Sequence, residues 1–140
     1  MHVFDAAAVL PVTPDGEVLL VRQFRPAVRK EILEIPAGLL DEPGETPEGC
    51  VARELVEETG FRYASMTKLG EVVPSPSSWS ERVHLFLAET EPHPVGDPES
   101  GIELVRRPFP DVVAEARAGG LEDAKTALAV LLAAARQGAG

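Results

Sequence analysis

Residues 34–61 read EIPAGLLDEPGETPEGCVARELVEETGF, and what this stretch folds into decides the rest of the chain. A short acidic helix is predicted at its centre. Thr46 has the right side chain for an N-cap, and Pro47 suits the first helical position, where no amide hydrogen is needed. Gly60 is a natural stop. At about 100° per residue, Glu54, Glu57 and Glu58 share one face, with Cys50 in its middle. Val51, Ala52, Leu55 and Val56 share the opposite face. Carboxylates three and four residues apart on one helix face repel each other. A divalent cation would offset that repulsion, and clustered carboxylate oxygens suit Mg²⁺ or Mn²⁺. The competing reading is a solvated acidic face, the commoner fate of such spacing. Two neighbours favour the cation. Pro36-Ala37-Gly38 is predicted to form a tight, side-chain-poor turn, where the Ala37 carbonyl could approach a metal. Arg53 lies beside the acidic face, placed to form a structural ion pair with Glu45.

The same stretch resembles the signature of the Nudix hydrolases: Gly, five residues, Glu, seven residues, Arg-Glu, an aliphatic residue, any residue, Glu-Glu, any residue, Gly, an apolar residue. Glu45, Arg53, Glu54, Leu55, Glu57, Glu58, Gly60 and Phe61 fall in register with it. One departure is clear: six residues, Leu39 to Gly44, separate Gly38 from Glu45. The extra residue sits in Asp41-Glu42-Pro43-Gly44, a turn where insertions are tolerated. The resemblance implies an α+β fold, a mixed β-sheet sandwiched between α-helices. It also implies metal-dependent hydrolysis of a nucleoside diphosphate linked to another moiety. Glu54, Glu57, Glu58 and the Ala37 carbonyl would hold the metal, Mg²⁺ first and Mn²⁺ second, with Glu45 orienting Arg53.

Composition sets the outer bounds. A chain of 140 residues with 44% hydrophobic residues can build one domain with a real core over 1–140. Its formal net charge of −10 argues against nucleic-acid binding, which needs a basic surface. It does not forbid an anionic substrate, because a bound metal reverses the local field. No apolar run is long enough for a bilayer, and no signal peptide is evident. The single cysteine, Cys50, rules out an internal disulfide and fits a reducing compartment, with the cytoplasm as the default.

Outward from the helix, Ala6–Val12 and Glu17–Arg22 read as strands joined by a Thr13-Pro14-Asp15-Gly16 turn. Gln23-Phe24-Arg25 resembles a run that precedes the motif in the ADP-ribose pyrophosphatase branch. Arg25 could grip phosphate oxygens through its forked guanidinium, or be a plain surface arginine. Residues 31–35 read as a short strand whose Glu34 the resemblance makes a substrate contact; the alternative is an edge-strand charge. Gly38 belongs to the same substrate-facing turn. After the helix, residues 61–66 and 68–73 read as two strands. A Pro/Ser loop at 74–80 follows, then a buried strand at 82–88, again similar to that branch. Trp79 could stack on a base or ribose, or be a core or lid residue. His84 reads as a packed histidine.

Residues 89–101 form an acidic, Pro/Gly-rich loop of a kind that is commonly functional. In the ADP-ribose branch such a loop supplies an acid that serves as base or metal ligand; Glu99 is the first choice here, ahead of Asp97 and Glu103. A strand at 101–107, a helix at 110–118 and a longer helix at 121–136 close the chain. Leu121, Ala124, Leu128 and Leu131 are expected to form the buried stripe of the last helix. Lys125 either faces the site or helps cap that helix. The branch resemblance also implies an N-terminal strand region, involved in dimerisation and substrate binding, that this sequence does not contain, so a homodimer stays open. The expected partner is a small nucleotide, ADP-ribose first and other nucleotide sugars close behind. Nucleoside triphosphates, dinucleoside polyphosphates and a non-catalytic nucleotide sensor are the alternatives.

Overall fold

The computed structural model describes residues 4–138; the remainder of the domain expected over 1–140 lies outside the described residues. The strands are β1 (Ala6–Val12), β2 (Glu17–Arg25), β3 (Lys30–Glu34), β4 (Ala37–Leu39), β5 (Tyr63–Val72), β6 (Val83–Thr90) and β7 (Glu103–Pro108). The helices are α1 (Pro47–Thr59), α2 (Phe109–Arg117) and α3 (Ala124–Gln137). All seven strands join one mixed sheet, with the order β3-β2-β1-β6-β5. β1 runs parallel to β6 over its whole length. Its other edge is shared: Val12 pairs with Val18 of β2, while Ala6, Ala7 and Ala8 pair with Leu39, Gly38 and Ala37 of β4. The sheet therefore forks between β1 and β2, and the chain crosses the fork from Glu34 to Ala37.

β1 is buried on both faces, which is why it reads as a continuous apolar run rather than an alternation. Ala7 and Val9 pack with Cys50, Val51, Leu55, Phe86 and Ala88 under α1. Ala8 and Leu10 pack with Leu20, Leu85, Val112, Val130 and Ala133 under α2 and α3. Fully burying such aliphatic side chains stabilises the fold by roughly 1.5–3 kcal/mol each. The expected α+β arrangement is thus observed, with α1 on one face of the sheet and the other helices on the opposite face.

Four sequence expectations need correction. The strands expected at 61–66 and 68–73 are one strand, β5, interrupted by register shifts at Tyr63/Ser65 and Lys68/Gly70. Such bulges break the alternation a continuous strand would show. Pro36-Ala37-Gly38 is not a tight turn; Ala37 and Gly38 belong to β4, which fills the part of β1's edge that β2 leaves open. The buried stripe of α3 is Thr126, Ala129, Val130 and Ala133, while Ala124 and Leu131 are exposed. Cys50 is fully buried rather than set in the acidic face. Among the described residues, no helix is long and apolar enough to cross a membrane.

Candidate active site

α1 forms where its local signals place it. The Thr46 hydroxyl accepts a hydrogen bond from the Gly49 amide at 3.0 Å, Pro47 opens the helix, and Gly60 closes it at φ 81°. The extra residue in the preceding loop is absorbed in an exposed turn, with the Glu45 amide donating to the Glu42 carbonyl and Gly44 at φ 75°. Glu45 still reaches Arg53. Both its carboxylate oxygens accept from the guanidinium at 3.1 Å, a bidentate pair that fixes the side-chain plane. Arg53 Nη1 donates to Glu54 at 2.8 Å and lies 3.6 Å from Glu57.

The three glutamates of α1 do not share one environment. Glu58 is only 6% exposed, and the Glu54 side chain 15%. Glu57 is more open and leans toward Arg53. Burial, a hydrogen bond with Glu54 and the Glu54 charge push the Glu58 carboxyl up to about 9, against the Ala37 amide that favours its ionised form. In the absence of a cation, that crowding favours the protonated form of Glu58. Among the described residues, no three His, Cys, Asp or Glu side chains are already arranged as a metal cage. Gly38 of β4 faces this pair closely, since a Cβ there would lie 2.5 Å from Glu54 Oε1.

A second cluster lies at the fork. Glu34 is 4% exposed and is gripped by Arg25, whose Nε and Nη2 donate to its two oxygens at 2.6 and 3.0 Å. Lys125, from the start of α3, donates to the same carboxylate at 2.8 Å. Burial works to raise the Glu34 carboxyl, but Arg25 and Lys125 outweigh it and hold it below the usual carboxylate range. Glu34 lies at the end of the edge strand β3, but it is buried and paired rather than solvated. Asp123 acts on Arg25 electrostatically, as does Glu58 whenever it is ionised, which connects this cluster to α1. A groove of about 360 Å³ opens beside it, bordered by Arg25, Val28, Ile32, Glu34 and Asp123.

The acidic loop is fastened to the end of α1. The Val95 amide donates to the Gly60 carbonyl at 2.7 Å, and the Glu99 amide to the Glu57 carbonyl at 2.9 Å. Glu99 itself is exposed, and its charge contributes to the raised Glu58 carboxyl. Of the other loop acids, Glu103 pairs with Arg22 at 3.0 Å and Asp97 is exposed.

A model of the NUDIX domain family matches residues 2–131. The chain belongs to the Nudix family. Curated relatives include an ADP-ribose pyrophosphatase of Bacillus subtilis, 40% identical over 129 residues, covering 89% of this chain and 69% of that protein. A GDP-mannose pyrophosphatase of Yersinia enterocolitica is 37% identical over 132 residues, covering 86% of this chain and 68% of that protein. Among solved structures, one described as the crystal structure of an ADP compounds hydrolase superimposes with a TM-score of 0.79 at 26% identity, covering 96% of this chain and 74% of that one.

In this Nudix chain the remaining candidates separate. Trp79 is 47% exposed in a turn where its amide donates to the Ser75 carbonyl at 2.8 Å, so a core position is excluded. His84 is packed between Asp5 and Glu71, 3.6 and 3.4 Å away, as its mid-strand position suggested. Cys50 donates weakly to the Leu39 carbonyl at 3.7 Å, and burial, with the Glu45 and Glu54 charges, pushes its thiol up to about 11. It offers no thiolate to a metal. Asp123 carried no site role in the sequence; it stood out only as part of Asp123-Ala124-Lys125-Thr126, a run similar to one in the ADP-ribose pyrophosphatase branch.

Proposed function

We propose that this chain hydrolyses the pyrophosphate bond of a nucleoside diphosphate linked to another moiety. ADP-ribose, cleaved to AMP and ribose 5-phosphate, is the first substrate, and other nucleotide sugars follow. The convergence of Glu54 and Glu58 on one face of α1, closely against Ala37 and Gly38 of β4, carries this reading. The relatives, an ADP-ribose pyrophosphatase and a GDP-mannose pyrophosphatase, support it. The donor set fits Mg²⁺, with Mn²⁺ as substitute: hard oxygens, close enough to share a proton that a cation would displace. Glu54 and Glu58, with Glu57 and the Ala37 carbonyl, would hold it. Bound there, Mg²⁺ would neutralise phosphate charge and act as a Lewis acid.

The remaining work falls to the chain. Arg25 grips phosphate oxygens, and Glu34 fixes its plane. Arg53, locked by Glu45, holds Glu54 and the helix face in place. Water attacks phosphorus, the bond from phosphorus to the bridging oxygen breaks, and Glu99 takes the proton from water. The exposed Trp79 is proposed as a surface on which a base or ribose stacks. A buried, free Cys50 accords with a cytoplasmic setting.

The deciding experiment is a hydrolysis panel of ADP-ribose, GDP-mannose, other nucleotide sugars and nucleoside triphosphates, with products identified by mass. AMP and ribose 5-phosphate from ADP-ribose are expected, abolished by chelator and restored by Mg²⁺. Activity that persists in chelator, or appears only with triphosphates, would refute this reading. Glu99→Gln is expected to lower kcat by about 10²-fold, the scale of a lost general base. A full-rate variant would remove Glu99 from the reaction.

A further inference from the structure

The start of α3 breaks two local rules at once. Asp123 occupies the N-cap position yet makes no side-chain capping bond. Its carboxylate instead accepts from Thr126 Oγ1 at 2.5 Å and from Lys125 Nζ at 3.0 Å. Lys125, the second helical residue, puts a cation at the positive end of the helix dipole, where it is unfavourable. Local choices that lose stability tend to mark a functional demand.

The geometry shows where the demand lies. Two consecutive residues of α3 clasp two consecutive residues at the fork: Lys125 Nζ donates to Glu34, and Thr126 Oγ1 accepts from the Ile35 amide at 2.9 Å. Glu34 thus has two cationic partners, one on its own sheet and one from the helix 91 residues away in sequence. Arg25 uses only Nε and Nη2 on Glu34; its side chain is 47% exposed, and its Nη1 makes no bond to any described residue.

We propose that Lys125 is a positioning residue for phosphate capture: it anchors the Glu34 carboxylate so that Arg25 is held with its free guanidinium edge turned to the substrate. This rests on the pyrophosphohydrolase reading above. With Lys125 in place, Glu34 keeps a full partner when Arg25 shifts toward a phosphate. Without it, the buried carboxylate depends on Arg25 alone and draws the guanidinium inward, since an unpaired buried charge is costly. The effect falls on binding rather than on the chemical step.

The test is steady-state hydrolysis of ADP-ribose by the parent, Lys125→Met and Lys125→Arg. Lys125→Met is expected to raise KM about tenfold, the equivalent of one charge-assisted hydrogen bond, with kcat within about twofold. Lys125→Arg is expected to bring KM back to within about threefold of the parent. An unchanged KM in Lys125→Met would overturn the proposal. So would a fall in kcat alone, or an arginine variant no better than the methionine one, since a merely structural lysine gives those patterns. If Lys125→Met fails to fold, Lys125→Gln replaces it with the same expected outcomes. If the parent hydrolyses no nucleotide sugar, the functional reading fails separately. The clamp is then read from ADP binding by calorimetry, where a tenfold weaker Kd supports it and equal affinities overturn it.

Discussion

Glu58→Gln will cut kcat by about a thousandfold, and it will raise the melting temperature of the metal-free protein at pH 8. Both effects come from one proton. In the absence of metal, burial and Glu54 push the Glu58 carboxyl up to about 9, from an ordinary 4.5. A group whose folded pKa lies above its unfolded one stabilises the fold fully below the unfolded value, and loses that contribution as pH rises through the folded one. The metal-free parent should therefore weaken steadily between about pH 5 and pH 9. Glutamine imitates the protonated acid, with an N–H to donate to Glu54, and has no proton to lose. Its melting temperature should be flatter across that window. Turnover suffers because glutamine cannot become the anion that a cation requires, and one metal-held charge contact is worth several kcal/mol in a phosphoryl transition state. Unchanged kcat would remove Glu58 from the reaction. Parallel melting curves for parent and variant would show that the Glu58 proton does not exist.

Gly60→Ala is expected to cost about 3 kcal/mol and to lower turnover with it. Gly60 sits at φ 81°, where a side chain strains the backbone by about 1–2 kcal/mol. Its added Cβ would lie 2.0 Å from the Gly96 carbonyl oxygen and 2.7 Å from the carbonyl carbon. Those are backbone atoms and cannot swing away, so the acidic loop must lift. Lifting breaks the bonds from Val95 to Gly60 and from Glu99 to Glu57, at about 1 kcal/mol each. Melting should fall by about 10 °C for a chain of this size. kcat should fall toward that of Glu99→Gln, because the same acid has been carried off. A variant that melts lower yet turns over at full rate would separate the loop from catalysis.

The parts of the molecule legible in the sequence are those specified locally. Thr46, Pro47 and Gly60 fix the ends of α1 because a cap, an imino acid and a left-handed turn each act within a few residues. The hairpin of β1 and β2 is written in its Pro-Asp-Gly turn. The phase of α3 was not legible, because Ala127 to Ala135 is apolar at every position and periodicity has nothing to choose between. Packing chose the small residues, which let the helix approach the sheet, and left Leu131 outside. β4 was hidden because Pro-Ala-Gly reads as a turn; only the vacancy on β1, set by where β2 peels away, makes it a strand. At the site, the Glu45–Arg53 pair was visible because its members lie only eight residues apart. The Glu34–Lys125 contact was not, because nothing in either segment refers to the other across 91 residues.

Cys50 has a practical consequence. Its sulfur is sealed beneath α1, and with the thiol pushed up to about 11 the reactive anion is scarce. Peroxide, electrophilic dyes and mercurials meet almost nothing while the chain stays folded. They gain access when α1 lifts from the sheet, so the rate of labelling with Ellman-type reagents becomes a built-in clock for opening of the molecule, with no engineered reporter required.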